Sequence, residues 1–264
     1  MPFTPAHVAA VLPFRSSRLV WSALVVGAMA PDFEYFLRMS PQGRYGHTLA
    51  GLFLFTLPVG LLTLWLFHAY VKAPFTELMP EGLKRRLTPC VGKFRFGGPL
   101  RFALIVASLL VGICTHLIWD SFTHGSAWTT RHLHVLARPI ALPHIGFTPF
   151  YKVLQHVSTV VGLAILVAWL VMWYRASDDS AGDRDGVNYR VQRVWPRRKI
   201  MTLGAITIFA GLGAVFRAWS EIGIPSNHST LALFMGEFAA TMIALMWWQF
   251  VALGIWRRSK RRSG

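Results

Sequence analysis

The sequence predicts an all-α, polytopic transmembrane helical bundle of about six membrane segments, on three observations. Hydrophobic residues make up 54% of the 264-residue chain and charged residues only 14%, against roughly 45–50% and about 25% in a soluble domain. Too few polar side chains are present to coat a water-facing surface. Several apolar stretches reach or approach the roughly 20 residues a helix needs to cross a bilayer core. The basic residues gather between alternate stretches rather than spreading along the chain. The same numbers exclude intrinsic disorder, a disulfide scaffold and most soluble enzymes.

Taken in order, the first candidate segment is Leu19–Leu37, interrupted by Asp32 and Glu34. From Leu19 to Pro31 a helix rises only about 20 Å, so two arrangements stand. Either this segment spans as the first of six, or Thr4–Phe14 and Arg18–Ala30 form a re-entrant pair broken at Pro13, leaving five full spans. In that second arrangement Arg15, Arg18, Arg38 and Arg44 lie outward, against the charge rule below. Thr48–Val71 and Phe102–Trp119 carry no Asp, Glu, Lys or Arg, and neither do Val153–Tyr174 and Phe238–Trp256. Ile200–Phe216 is slightly short, but continues through Arg217 to Trp219.

The formal charge of +16 first raises nucleic acid as a partner. Segments 72–101, 175–199 and 257–264, however, hold 19 of the 27 basic residues. Loops rich in Lys and Arg stay cytoplasmic, so topology alone explains the excess and no nucleic-acid partner is needed. The whole chain, 1–264, reads as one integral domain of a bacterial inner membrane. Its partner is the lipid bilayer, its two basic loops and basic tail are cytoplasmic, and its C-terminus lies inside. Cys90 and Cys114 offer no disulfide framework or cysteine zinc site. Met1 to Phe14 lacks the basic start and long apolar core of a secretion signal. The Asp- and Gly-containing run 178–186 lacks the bidentate Glu of a calcium loop and reads as a solvated linker.

The scarce acids carry the chemistry. Asp32 and Glu34 close the first segment at its outer end, and His47 opens the second at the same level. His116 and Asp120 occupy the last turns of the third, at a spacing that puts both on one helix face. Ionisable groups in a membrane are costly, which marks them as functional. Imidazole and carboxylate are the ligands that zinc and manganese take. His124 lies about 12 Å beyond His116 on a straight helix. It joins the set only if the helix ends near Phe122 and turns back through Thr123-His124-Gly125-Ser126. A lone His–Asp pair is commonly a structural hydrogen bond, but Asp32, Glu34, His47, His116 and Asp120 together point to a divalent metal, zinc or manganese. His132, His134 and His144 read as loop surface, His68 as an inner-interface residue, and Arg217 with Glu221 as an i,i+4 ion pair.

These residues resemble a bacterial membrane family, domain-of-unknown-function family 4184. The matching elements are Met1-Pro2-Phe3-Thr4 with His7, Gly27-Ala28-Met29-Ala30-Pro31-Asp32-Phe33-Glu34, His47-Thr48, and His116 with Asp120. That family in turn resembles the YdjM-like membrane-bound metal-dependent hydrolases. By that resemblance His7 matches an early His, Asp32 and Glu34 an acidic pair, His47 a middle His, and His116 with Asp120 the last pair. Two departures stand: Glu34 replaces an Asp, and Arg44-Tyr45-Gly46-His47 lacks the Thr expected before the His. The resemblance implies a metal-dependent hydrolase whose ion is held by Asp32, His47, His116 and Asp120, with His7 or His124 completing the set. Asp32 and Glu34 form the catalytic pair, Glu34 serving as general base. At that depth a lipid or lipid-linked phosphoester is the expected substrate. The alternatives are a non-catalytic membrane scaffold and an ion-handling transporter.

Overall fold

The computed structural model describes residues 3–92, 94–142, 146–179 and 196–263. His144 and the acidic positions Asp183 and Asp185 lie outside them. The main helices are α1 (Thr4–Phe14), α2 (Trp21–Met29), α3 (Phe33–Arg38), α4 (Leu49–Leu78), α5 (Pro99–Thr123), α6 (Phe150–Asp179), α7 (Arg197–Ile222) and α8 (His228–Ser263). Among the described residues, five helical stretches are long and apolar enough to cross a membrane, those of α4 to α8. The only strands described, β1 (Pro139–Leu142) and β2 (Gly146–Pro149), form a small antiparallel hairpin ahead of α6. The all-α polytopic bundle is therefore what forms.

The stretch 19–37 is not one helix. It breaks at Ala30–Asp32, a single 3-10 turn between α2 and α3, where Pro31 supplies no backbone N–H to continue the α-helical ladder. The chain divides into two compact units, residues 1–32, 45–61 and 96–175, and residues 33–44, 62–95 and 176–264.

In the first unit α1 and α2 make a helical hairpin. The 3-10 winding of α1 rises about 2 Å per residue, so eleven residues reach about 22 Å, against about 16 Å as α-helix. α1 runs down α6: the Phe3 N–H donates to Thr159 Oγ1 at 3.3 Å, Ala6 packs on Gly162, and the Arg15 guanidinium lies 5.3 Å from the Trp169 ring. The chain turns there, Ser17 Oγ donating to the Phe14 carbonyl at 2.6 Å and the Val20 N–H to Ser108 Oγ at 2.8 Å. α2 then returns along α5. Two glycines bring the backbones of α2 and α5 into contact. A Cβ on Gly27 would lie 2.3 Å from the Leu109 carbonyl oxygen, and one on Gly112 would lie 2.4 Å from that of Leu24. Small residues at a membrane helix crossing permit this approach. Buried Val11, Leu24, Ala28, Ile105, Leu109 and Ile113 fill the unit's interior.

The hairpin closes where it began, with Thr4 Oγ1 donating to Asp32 Oδ2 at 2.7 Å. Of the two arrangements open to the sequence, the structure holds the hairpin, not a six-span chain. Arg15 and Arg18 lie at its tip, toward the ends of α5 and α6 that carry Arg101 and Arg175. These two arginines therefore lie at the end of the unit away from Thr4 and Asp32, because a deep hairpin carries its tip away from its own entry point.

The second unit packs the C-terminal half of α4, α7 and α8 around Val71, Leu78, Ile206, Phe250 and Val251, with α3 set against α8. Ser40 Oγ donates to Glu237 Oε1 at 2.7 Å, Thr241 Oγ1 to the Met39 carbonyl at 3.1 Å, and Arg257 pairs with Glu77. Arg217 and Glu221 form the expected i,i+4 pair at 3.3 Å. His68 stacks on Phe94 with ring centroids 3.9 Å apart.

Candidate metal centre

α5 supplies two side chains one helical turn apart, His116 Nε2 standing 3.2 Å from Asp120 Oδ2. The other ring nitrogen of His116, Nδ1, lies 2.8 Å from the Ala28 carbonyl. A carbonyl only accepts, so Nδ1 carries a proton, and in the neutral ring Nε2 carries a lone pair. That lone pair faces Asp120 Oδ2 and, at 3.6 Å, Asp32 Oδ1. Three acceptors facing one another repel unless a proton or a cation sits among them. A metal-bound histidine characteristically donates its second N–H to a carbonyl or carboxylate, as His116 does here.

His47 enters from the turn before α4. A Cβ on Gly46 would lie 2.0 Å from the Pro31 carbonyl oxygen, so only glycine lets this turn close on the Ala30–Asp32 segment. Thr48 then caps α4 by accepting the Gly51 N–H at 3.0 Å. His47 Nε2 is thereby placed 3.1 Å from Asp120 Oδ2 and 3.6 Å from Asp32 Oδ1. The His47 side chain is 30% exposed while those of Asp32 and His116 are fully buried, so the site opens on the His47 side.

One ligand atom each from Asp32, His47, His116 and Asp120 lies within 4.8 Å of the others. Around an ion with bonds near 2.1 Å, neighbouring ligand atoms stand about 3–3.5 Å apart, close to the 3.1–3.6 Å separations of the four His–carboxylate pairs here. Among the described residues, Asp32 Oδ1, His116 Nε2 and Asp120 Oδ1 are buried without a hydrogen-bond partner, which is costly in a low-dielectric interior. Two carboxylates and two neutral imidazoles balance a divalent charge, so the donor set fits such an ion. The buried Asp/His cluster could hold a metal ion.

His7 and His124 flank these four. His7 stacks on His116 with centroids 3.8 Å apart, meets Trp119 edge-on, and brings Nε2 to 3.4 Å from Asp120 Oδ1. Neither of its ring nitrogens has a hydrogen-bond partner among the described residues. α5 ends at Thr123, as a contribution from His124 requires, and His124 Nδ1 lies 3.1 Å from the Asp120 carbonyl and 3.6 Å from its Oδ1. Outside the five spanning helices, burial lowers the His7 pKa to about 3, aided by neighbouring His116. Burial raises that of Asp32 against the pull of His116 and His47.

Glu34 stands on α3 in the second unit, buried, and accepts Nε of Arg38 at 2.9 Å. His132 stacks on Trp128, and it, His134 and His156 are exposed, as loop and helix-surface residues. Two members of the site's surroundings escaped the sequence reading. Thr4 belongs to the opening motif, and a hydroxyl four residues into the chain was the available signal for a donor to Asp32. The Ala28 carbonyl leaves none, since every residue carries one.

The family model described as "Domain of unknown function (DUF4184)" matches residues 1–255. The chain belongs to the DUF4184 family. The DUF4184 match spans Asp32, His47, His116 and Asp120 as well as His7, Glu34 and His124, so the cluster lies wholly within the family's own domain. No curated protein and no solved structure matches the chain.

Proposed function

We propose that Asp32, His47, His116 and Asp120 hold one divalent cation, zinc or manganese. On this reading the protein is a metal-dependent hydrolase, kin to the YdjM-like enzymes, acting on a lipid or lipid-linked phosphoester in a bacterial inner membrane. The observation that carries it is the convergence of four ligand atoms with buried lone pairs left unpartnered. When bound, such an ion lowers the pKa of a coordinated water and polarises a scissile phosphoryl group. The chain's own residues do the rest. Thr4 and the Ala28 carbonyl orient Asp32 and His116. The partly exposed side of His47 admits the substrate from the membrane surface. Glu34, the expected base, is engaged by Arg38. His7 stands beside the cluster, its Nε2 3.4 Å from Asp120 Oδ1, but the burial that keeps its ring neutral also disfavours proton uptake, so Glu34 stays the proposed base.

The positive-inside rule orients this site. With five crossings, the basic segments 72–101, 175–199 and 257–264 fall on one side, taken as cytoplasmic. The metal cluster, both ends of the α1–α2 hairpin and the N-terminus then face outward. Metal analysis of detergent-purified protein tests the reading. The expected result is about one zinc or manganese per chain, lost in His116→Ala/Asp120→Ala, with phosphodiesterase activity on lipid-linked substrates lost in parallel. A protein that carries no metal and takes none up would leave the cluster as packing glue and remove the proposal.

A further inference from the structure

The tip of the α1–α2 hairpin presents Arg15 and Arg18, both exposed. Among the described residues neither has a carboxylate within ion-pair distance. Their level in the unit follows from three contacts. The Val20 N–H reaches Ser108, the Arg15 guanidinium covers Trp169, and Trp21 packs on Trp169 with ring centroids 6.0 Å apart. Ser108 lies seven residues past Arg101 on α5, about 10 Å. Trp169 lies six residues before Arg175 on α6, about 9 Å. An extended arginine side chain covers most of either distance by snorkelling. The tip arginines therefore lie within reach of the level of Arg101 and Arg175, at the end of the unit opposite the metal cluster.

Unpaired guanidinium groups just inside a membrane boundary are costly, and the described residues supply no anion for them. The abundant anion at that depth is the lipid phosphate. The Arg15 guanidinium carbon lies 5.3 Å over the Trp169 ring, and guanidinium N–H edges match phosphate oxygens in a fork geometry. We propose that Arg15, held over Trp169, and Arg18 form a binding site for the phosphate headgroup of an anionic phospholipid in the leaflet opposite the metal cluster. That lipid clamps the hairpin tip. Since the same hairpin carries His7 and Thr4 and ends at Asp32, the clamp holds the far end of the element that helps build the cluster.

The test is thermal unfolding of the full chain in a neutral detergent with added phosphatidylglycerol, phosphatidylcholine or inorganic phosphate. Phosphatidylglycerol is expected to raise the midpoint by several degrees, as a specific ligand does when present well above its dissociation constant, and the other two additives to raise it by much less. Arg15→Gln/Arg18→Gln should lose most of that increment. Arg15→Lys/Arg18→Lys, which keeps the charge, should retain part of it and guards against a mere folding defect. Equal shifts with both lipids would overturn the site. So would an unchanged phosphatidylglycerol increment in the Gln pair, or an equal shift from inorganic phosphate, which would make free phosphate the ligand.

Discussion

Gly112→Ala adds one methyl group, and the structure says where it goes. The new Cβ would stand 2.4 Å from the Leu24 carbonyl oxygen and 2.7 Å from the Ala28 backbone nitrogen. Ordinary contact begins near 3.4 Å, so α2 must retreat from α5 by about 1 Å. The His116 Nδ1 to Ala28 carbonyl distance, 2.8 Å now, would stretch to nearly 4 Å, beyond hydrogen-bonding range. His116 then loses the partner that fixes its tautomer and ring orientation. Loss of such an outer partner typically costs 10- to 100-fold in metal affinity, about 1.4–2.7 kcal/mol. Overpacking should add about 1–3 kcal/mol of destabilisation. The assay is zinc competition against a chelator of known affinity, run alongside Gly204→Ala on α7, where an added Cβ meets nothing within 4 Å. An unchanged zinc affinity in Gly112→Ala would refute the link from backbone contact to ligand orientation.

Other outcomes follow from the same geometry. Thr4→Val removes the donor to Asp32 Oδ2 and should weaken metal binding about 10- to 100-fold, while Thr4→Ser should keep it; chelator competition separates the two. Gly46→Ala would push the His47 turn off the Pro31 carbonyl, and the purified variant should retain well under half the wild-type metal content by elemental analysis. Protons compete with the cation for imidazole and carboxylate lone pairs, so metal retention after dialysis should rise with pH and be poorer at pH 5 than at pH 8. For orientation, single cysteines at Ser126 and Ser259, in a chain with Cys90 and Cys114 changed to Ser, should react with an impermeant maleimide from opposite faces of intact cells and inverted vesicles. Labelling of both from one face would overturn the five-crossing topology.

Much of this protein was legible in its sequence because a bilayer imposes a blunt constraint. A helix that must satisfy its own backbone in lipid shows itself as a long uncharged run, and the five spanning stretches coincide with five such runs. The i,i+4 spacing determined that His116 and Asp120 share a face, for the same local reason. The scarcity of acids pointed to Asp32 and Asp120 before any distance was known.

What the sequence left open depended on contacts between residues far apart in the chain. Whether residues 19–37 crossed or turned back was decided by Gly27 and Gly112 meeting across 85 positions and by Thr4 closing on Asp32. The selection of Asp32, His47, His116 and Asp120, with His7 and His124 beside them, rests on where three separate elements converge. Local propensity acts over a few residues and can specify a helix or a break. Which lone pairs meet in one place is a matter of how the helices pack, and only the tertiary structure decides it.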